Sequence, residues 1–238
     1  LFDVTLFSDG SNIQRKPKGH LYLYPLIAIA AMLAIVFVMD LPHMHKPKQQ
    51  LSQTIRIPAG QRAQMDLPDG SIVWLNSQTT LTYDENFGKK DRKVTLDGEA
   101  YFEVAHNKEI PFYVQTENIK VQVTGTKFDV CSYKGSNSFI ARLIEGSINL
   151  LTNNAKEEKI ITSLTKGKYF SMENGKYRTG EMSSNNALAW MQGIYYFDDV
   201  PFKELLDKIA LYYNYKITVK NPKILENYRC TGKFKDLD

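Results

Sequence analysis

The stretch Leu96–Ala105, LDGEAYFEVA, decides the fold class of this chain. Along its second half Ala100, Phe102 and Val104 alternate with polar or amphipathic neighbours, the pattern of a strand with one buried face. The pair Asp97-Gly98 is typical of a turn. We therefore expect one strand to end at Leu96 and another to begin after Gly98.

The same alternation recurs on both sides of this stretch. The alternating runs cover residues 63–67, 71–75, 119–124 and 139–150. Turn residues separate them, as in Pro68-Asp69-Gly70. Short strands with Gly-bearing turns, and no 3.6-residue period, predict a mainly β domain over residues 54–180. The pattern leaves a sandwich, a barrel and an irregular β-helix open.

Helical signals begin after Gly180. Residues 183–186 can cap a short helix over 187–192, which predicts a helical linker at 181–193. A second helix is predicted after Pro201 because apolar residues recur at helical spacing. These residues are Phe202, Leu205, Leu206, Ile209, Ala210 and Tyr213.

Strands are predicted on both sides of this second helix, at 195–197 and at Tyr215–Val219, which makes a βαβ unit. Residues 228–234 have the pattern of the opening strand of a further unit. Residues 194–238 are therefore predicted to be a truncated small βαβ domain.

Residues Leu21–Met39 form a run of 19 residues without a charged side chain. At about 1.5 Å per residue, a helix of this length nearly crosses a bilayer core of roughly 30 Å. A buried core helix usually has a polar face, and the apolar part of a signal peptide is shorter. The run therefore predicts one N-terminal transmembrane helix.

Basic residues set the predicted orientation of this helix. Three lie within residues 15–18, before the run, whereas Lys46 and Lys48 follow it. The small excess favours a cytoplasmic N-terminus. Residues 1–20 are then a cytoplasmic juxtamembrane remnant, and residues 40–53 are a polar linker to a bulk outside the cytoplasm.

The overall charge and the cysteines narrow the function classes. The net charge is +4, from 30 basic and 26 acidic residues, which is too small an excess to indicate a nucleic-acid partner. Cys131 and Cys230 lie far apart in the sequence. An oxidising compartment would allow a bridge, but we favour two unrelated thiols.

No catalytic or metal-binding constellation is evident. His43 and His45 lack a third ligand, and His106 lies in a predicted exposed turn. Glu99 and Glu103 share one predicted strand face, but their Cα atoms would lie about 13 Å apart, beyond the roughly 5–9.5 Å of hydrolytic carboxylate pairs. We therefore predict that the chain is not an enzyme and uses no cofactor or metal.

Sequence blocks in a fixed order resemble the FecR family. They begin with residues 58–63 and LPDGSIVWLN and continue through LDGEAYFEVA, VTGTKFDV and LIEGSINL. The matched positions are Gly60, Leu67, Pro68, Asp69, Gly70, Trp74, Leu75, Asn76, Gly98, Glu99, Ala100, Phe102, Val104, Gly125, Thr126, Phe128, Val130, Glu145 and Gly146. We assign them to the fold rather than to a site. The glycines at 70, 98, 125 and 146 suit turns, and Trp74, Phe102 and Phe128 suit the core.

The tail, from Trp190 to Tyr213-Asn214, resembles the C-terminal domain of the same family. That domain is related to the short signalling domain of secretins and TonB-dependent receptors. The resemblance also implies a β-helix-like form for the FecR domain.

The resemblance implies an anti-sigma factor, or sigma regulator, of the bacterial inner membrane. Its expected partners are an extracytoplasmic-function sigma factor, the signalling domain of a TonB-dependent outer-membrane receptor, and periplasmic and intramembrane proteases. The sigma factor is expected to bind an N-terminal domain, of which residues 1–20 are at most a remnant, and the bulk is expected in the periplasm. Two alternatives stay open: a membrane-anchored module that binds a glycan or cell-wall polymer, and a hydrolase with an unrecognised site.

Overall fold

The computed structural model describes residues 23–44, 51–153, 158–182 and 185–235, which fall into two compact units, 1–49 and 50–238. The first unit contains helix α1, Leu23–Met44. Among the residues described, none of the helices combines the length and the apolar character needed to cross a bilayer. The transmembrane helix at 21–39 stays a prediction. Residues 1–22 and 45–50 lie outside the described residues. They include the whole predicted remnant but fewer than half of the predicted linker residues, because α1 continues to Met44 and β1 begins at Ser52.

The second unit contains a β domain and a small C-terminal domain. The strands of the β domain are β1 (Ser52–Arg56), β2 (Ala63–Asp66), β3 (Ile72–Leu75), β4 (Thr80–Asp84), β5 (Arg92–Glu103), β6 (Phe112–Gln115), β7 (Ile119–Val123), β8 (Lys127–Ser132), β9 (Ser138–Glu145), β10 (Ser147–Thr152), β11 (Ile160–Thr165), β12 (Lys168–Glu173) and β13 (Lys176–Glu181). The C-terminal elements are a 3₁₀ helix (Asn185–Gln192), β14 (Ile194–Pro201), α2 (Phe202–Tyr213), α3 (Lys223–Asn227) and β15 (Arg229–Lys235).

Strand β5 belongs to both halves of the β domain. Its first half pairs with β4 and, in parallel, with β6, while its second half pairs with β3 and β8. The first sheet half runs β1–β4–β5–β6–β7–β10–β11, and the second runs β2–β3–β5–β8–β9–β12–β13. The predicted mainly β architecture is confirmed as one curled sheet.

The turn predicted at Asp97-Gly98 is wrong, because β5 continues through both residues. Gly98 has a φ of +136°, and a Cβ added there would lie 2.6 Å from Thr79 Cα. The backbone of Glu99 stays paired: its N–H donates to Thr79 Oγ1 at 3.0 Å and its carbonyl accepts from Asn76 N–H at 2.9 Å. Gly98 thus lets one strand bend between the two sheet halves against the 76–79 loop.

One hydrophobic cluster contains side chains from both sheet halves. Phe102 of the second half stacks on Phe128 at 5.1 Å and meets Phe112 of the first half at 5.9 Å between ring centroids. Complete burial of a phenylalanine contributes about 1.5–3 kcal/mol. Most matched apolar positions lie in this cluster: Leu67, Leu75, Ala100, Phe102, Val104, Phe128 and Val130.

The assignment of Trp74 to the core is wrong. Val73 and Leu75 are fully buried in the cluster, so the two-residue period of β3 places Trp74 on the opposite face. There the ring is half-buried and lies 5.4 Å from the ring of Tyr101, its cross-strand neighbour.

The C-terminal domain departs from the predicted βαβ order. Strand β14 pairs antiparallel with β15, and residues 215–219 form no strand. An extended segment becomes a strand only when another strand pairs with it, and within the described residues none pairs with 215–219. The apolar stripe of α2 also ends differently: Tyr212 is buried, whereas Tyr213 is 43% exposed. The helical segment predicted before Gly193 is confirmed as the 3₁₀ helix.

Replacing Gly98 by Ala tests the bend in β5. The added methyl group meets Thr79 Cα and Cβ, which cannot rotate away, so we expect Gly98→Ala to lower the free energy of unfolding by about 3 kcal/mol or more. Gly175→Ala is the matched control, because Gly175 also has a positive φ but open space around it. Its cost should be about 1 kcal/mol. Urea denaturation measures both, and equal costs would contradict the role of the close approach.

Candidate functional site: the seam between the two domains

A cleft of about 610 Å³ lies between the second sheet half and the C-terminal domain. Its floor includes Glu99, Cys131 and Arg142 from strands β5, β8 and β9, and Trp190 and Tyr195 line the other side. The floor residues share the outer face of the sheet because they occupy the strand positions that alternate with core residues. Charged residues on the outer face of the sheet therefore face the C-terminal domain.

A charged network lies at the centre of this seam. Arg142 Nη1 donates to Asp129 Oδ2 at 2.5 Å and lies 3.8 Å from Glu99 Oε1. Trp190 Nε1 donates to Asp129 Oδ1 at 3.3 Å, so each oxygen of that carboxyl group has a partner. The side chain of Asp129 is completely buried. An unpaired charge at this depth would cost several kcal/mol, which makes these partners necessary for the docked arrangement.

Burial shifts the proton affinity of this network. Loss of solvent raises the pKa of Asp129 to about 7, with Arg142 opposing the shift and Glu99 adding to it. Burial and then Glu99 also raise the pKa of Tyr195. Its hydroxyl group therefore stays protonated and donates to Asn76 Oδ1 at 3.4 Å. Asn76 in turn donates to Glu99 Oε2 at 2.7 Å, which extends the network across the seam.

The end of α2 forms the second contact between the domains. The carbonyl of Tyr212 accepts from Gly60 N–H at 2.8 Å and from Ser77 Oγ at 2.8 Å. Gln78 Nε2 donates to the carbonyl of Leu211. The last carbonyls of a helix have no partner within the helix. Here a loop of the β domain supplies their hydrogen bonds, so the helix end and the loop stabilise each other.

The Tyr212 side chain adds to this contact. Its hydroxyl donates to the carbonyl of Gly60 at 3.0 Å and accepts from Arg62 Nη1 at 3.1 Å. Its ring meets Tyr195 edge-on, with centroids 5.5 Å apart. Tyr212 is thus held at both ends by the β domain, which explains why it, rather than Tyr213, is buried.

The chemistry of the seam suits docking. Burial raises the pKa of the Cys131 thiol, and the negative charge of Glu99 raises it further. The sulfur is therefore protonated and is a weak nucleophile. Within the part of the chain that the structure describes, no three metal-ligating side chains are grouped. Cys131 and Cys230 are both free thiols.

His106 is exposed, as predicted. Glu99 and Glu103 share an outer strand face but form ion pairs with different residues. Glu99 pairs with Arg142, and Glu103 pairs with Lys127.

The structure brings some of the matched positions together at the seam and leaves others elsewhere. Gly60, Asn76 and Glu99 contact the C-terminal domain or its network. The Pro68-Asp69-Gly70 turn lies apart, where Asp69 forms an ion pair with the buried Arg92 at 3.2 Å. The remaining positions support turns and close approaches in the β domain: Gly98, Gly125, Thr126, Glu145 and Gly146.

Sequence reasoning missed Asp129, Arg142 and Arg92. Asp129 is a charged residue between the apolar Phe128 and Val130, which by itself indicates only the outer face of a strand. Its burial depends on Trp190, which is 61 residues away. No sequence signal joins these side chains.

Comparisons with known proteins give a family match for each of the two domains that form this seam. The family model described as "FecR protein" matches residues 53–149, and the model "FecR, C-terminal" matches residues 194–238. Two crystal structures of candidate anti-sigma factors from Parabacteroides distasonis are similar, both with a TM-score of 0.69. One is 25% identical over 79% of this chain and 86% of that chain. The other is 24% identical over 78% and 86%. No curated protein matches the chain.

Replacing Ser77 by Ala tests the contact at the end of α2. The substitution removes a buried hydroxyl that donates to Tyr212 O and accepts from Gly60 N–H at 2.9 Å. We expect the free energy of unfolding to fall by about 1–3 kcal/mol. Ser136→Ala, in an exposed turn, should change it by less than about 0.5 kcal/mol. Proteolysis should also cut the C-terminal domain faster in Ser77→Ala, and unchanged cutting would argue against a docking role.

Replacing Asp129 by Asn tests the buried network through its pH dependence. The folded protein binds the Asp129 proton more tightly than the unfolded chain does, so the wild-type protein loses stability from this group as the pH rises from about 4 to about 7. The Asp129→Asn variant does not lose stability in this way, because asparagine does not titrate. Its free energy of unfolding relative to wild type should increase across this window, by at most about 1.4 kcal/mol per pH unit. Urea denaturation at a series of pH values measures the difference, and a constant difference would mean that Asp129 is ionised throughout.

Proposed function

Because the chain belongs to the FecR family of anti-sigma factors, we propose that it relays a signal from an outer-membrane TonB-dependent transducer to an extracytoplasmic-function sigma factor. The two FecR models together match more than half of the chain. The family is regulatory rather than enzymatic. The protein would therefore act through contacts with other proteins.

The C-terminal domain is the proposed receptor contact. The observation that carries this assignment is that the domain is docked through one side and exposes aromatic side chains elsewhere, such as Tyr215 at 68% and Tyr228 at 60%. Large exposed aromatic residues are common at protein interfaces. In the described part of the chain, β14 and β15 also pair only with each other, and unpaired strand edges readily accept a further strand.

The proposed location is the bacterial inner membrane, with residues 21–39 as a single span. This part rests on the sequence, in which the segment carries no charged side chain and the basic residues favour a cytoplasmic N-terminus. The sigma factor would bind on the N-terminal side of the span. The β domain and the C-terminal domain would lie in the periplasm, where the receptor and a protease can reach them, and an intramembrane protease would complete release of the sigma factor.

A reporter experiment with full-length protein tests this relay. A gene controlled by the cognate sigma factor should stay low in the resting cell and rise when the receptor is loaded. Tyr228→Ala should weaken this response, because it removes an exposed ring from the proposed contact. Tyr177→Ala is the matched control, since Tyr177 is 62% exposed but lies on β13 of the β domain.

Two further measurements complete this test. Alkaline phosphatase fused after Asp238 should be active, and the protein should sediment with membranes. A fully soluble cytosolic protein would overturn the proposed location. Failure to bind the signalling domain of the receptor, together with retention on peptidoglycan, would overturn the relay in favour of a cell-wall-binding module.

A further inference from the structure

An apolar groove of about 250 Å³ lies on the C-terminal domain, between α2 and the end of β15. Seven of its nine lining residues are apolar or aromatic: Tyr195, Phe197, Leu205, Ile209, Tyr212, Tyr213 and Phe234. Phe197 and Leu205 are buried at its base, whereas Tyr213 and Phe234 are 43% and 44% exposed at its rim. The groove thus offers water-accessible aromatic surface in a concave site, a combination that suits the anchor side chain of a binding partner.

The other two lining residues are both basic. Lys208 Nζ lies 5.5 Å from the centre of the Phe197 ring, and its side chain is 46% exposed. Lys208 forms an ion pair with Glu204 at 3.9 Å, which is a weak pair between exposed groups. Lys235 is exposed at the end of β15. Among the described residues, no carboxylate lines the groove. The two charged side chains that line the groove are therefore both positive.

We propose that this groove binds an acidic protein segment that places one large apolar or aromatic side chain between α2 and β15. Carboxylates beside that anchor pair with Lys208 and Lys235. Charge complementarity selects an acidic segment over a basic one, and the apolar lining requires the anchor. The inference rests on the proposed function, because it describes the chemistry of the receptor segment that the C-terminal domain contacts.

The groove is continuous with the seam. Tyr195, Lys208 and Tyr212 line both the groove and the cleft beside the β domain. Tyr212 also carries the carbonyl and hydroxyl groups that bind Gly60 and Ser77. A segment in the groove therefore contacts the side chains that hold the C-terminal domain in place, so that binding is coupled to docking.

Fluorescence polarisation with labelled peptides tests the groove on the full-length protein in detergent. The probe is the peptide EDFVLDE, and the two comparison peptides are KRFVLRK, with reversed charge, and EDSTSDE, without the anchor. We expect EDFVLDE to bind at least about ten-fold more tightly than either. The double variant Lys208→Glu with Lys235→Glu should lose this binding by a similar factor and favour KRFVLRK. The matched control is Lys168→Glu with Lys176→Glu, two exposed lysines of the β domain, and it should bind as the wild type does.

The outcomes separate this inference from the relay. Equal binding of acidic and basic peptides, no binding of EDFVLDE, or equal losses in both double variants would overturn the groove assignment. Phe234→Ala should weaken the binding of EDFVLDE without changing the charge of the groove. Unchanged binding would also contradict the groove assignment. The peptide measurement needs neither receptor nor sigma factor. Selective binding beside a silent reporter therefore rejects the relay alone, whereas an active reporter beside non-selective binding rejects the groove alone.

Discussion

The passage of β5 through both halves of the sheet is the constraint on which the rest of the structure depends. A single strand pairs with four neighbours only if its two halves turn to different partners, and Gly98 permits that bend against Thr79. The bend brings Phe102 and Phe112 into one core, and the period of two then places Glu99 on the outer face. Cys131 and Arg142 take the same outer face on β8 and β9, so alternation along three neighbouring strands forms the floor of the seam.

The seam holds two domains together mainly through polar groups. Buried ion pairs such as Asp129–Arg142 give little net stability compared with apolar packing, but they require their partners in one arrangement. The carbonyls at the end of α2 impose a similar requirement, since they need donors from the 76–79 loop. Such a contact specifies the docked state closely without making it very stable. This combination suits a regulator whose C-terminal domain responds to a partner, because a modest binding energy can shift the equilibrium between docked and undocked states.

Local patterns predicted much of this architecture. Alternation located six of the thirteen described strands of the β domain, namely β2, β3, β5, β7, β9 and β10, and helical spacing located α2. Both patterns depend on which neighbours along the chain share a face. The errors arose where distant segments decide. Asp97-Gly98 has turn chemistry but lies within a strand, since β3 and β8 continue the pairing. Residues 215–219 have strand chemistry but lack a partner strand among the described residues, since β15 takes the place beside β14.

The sequence by itself determined the β-rich class, the separate C-terminal domain and membership of the FecR family, because these follow from periodicity and from motifs that are local in the chain. The tertiary structure alone decided the seam. Asp129, Arg142 and Trp190 come from three separate elements, and Tyr212 meets a loop about 135 residues before it. Whether a charged residue faces water or a buried partner depends on what packs over its strand, and that covering is a property of the folded chain.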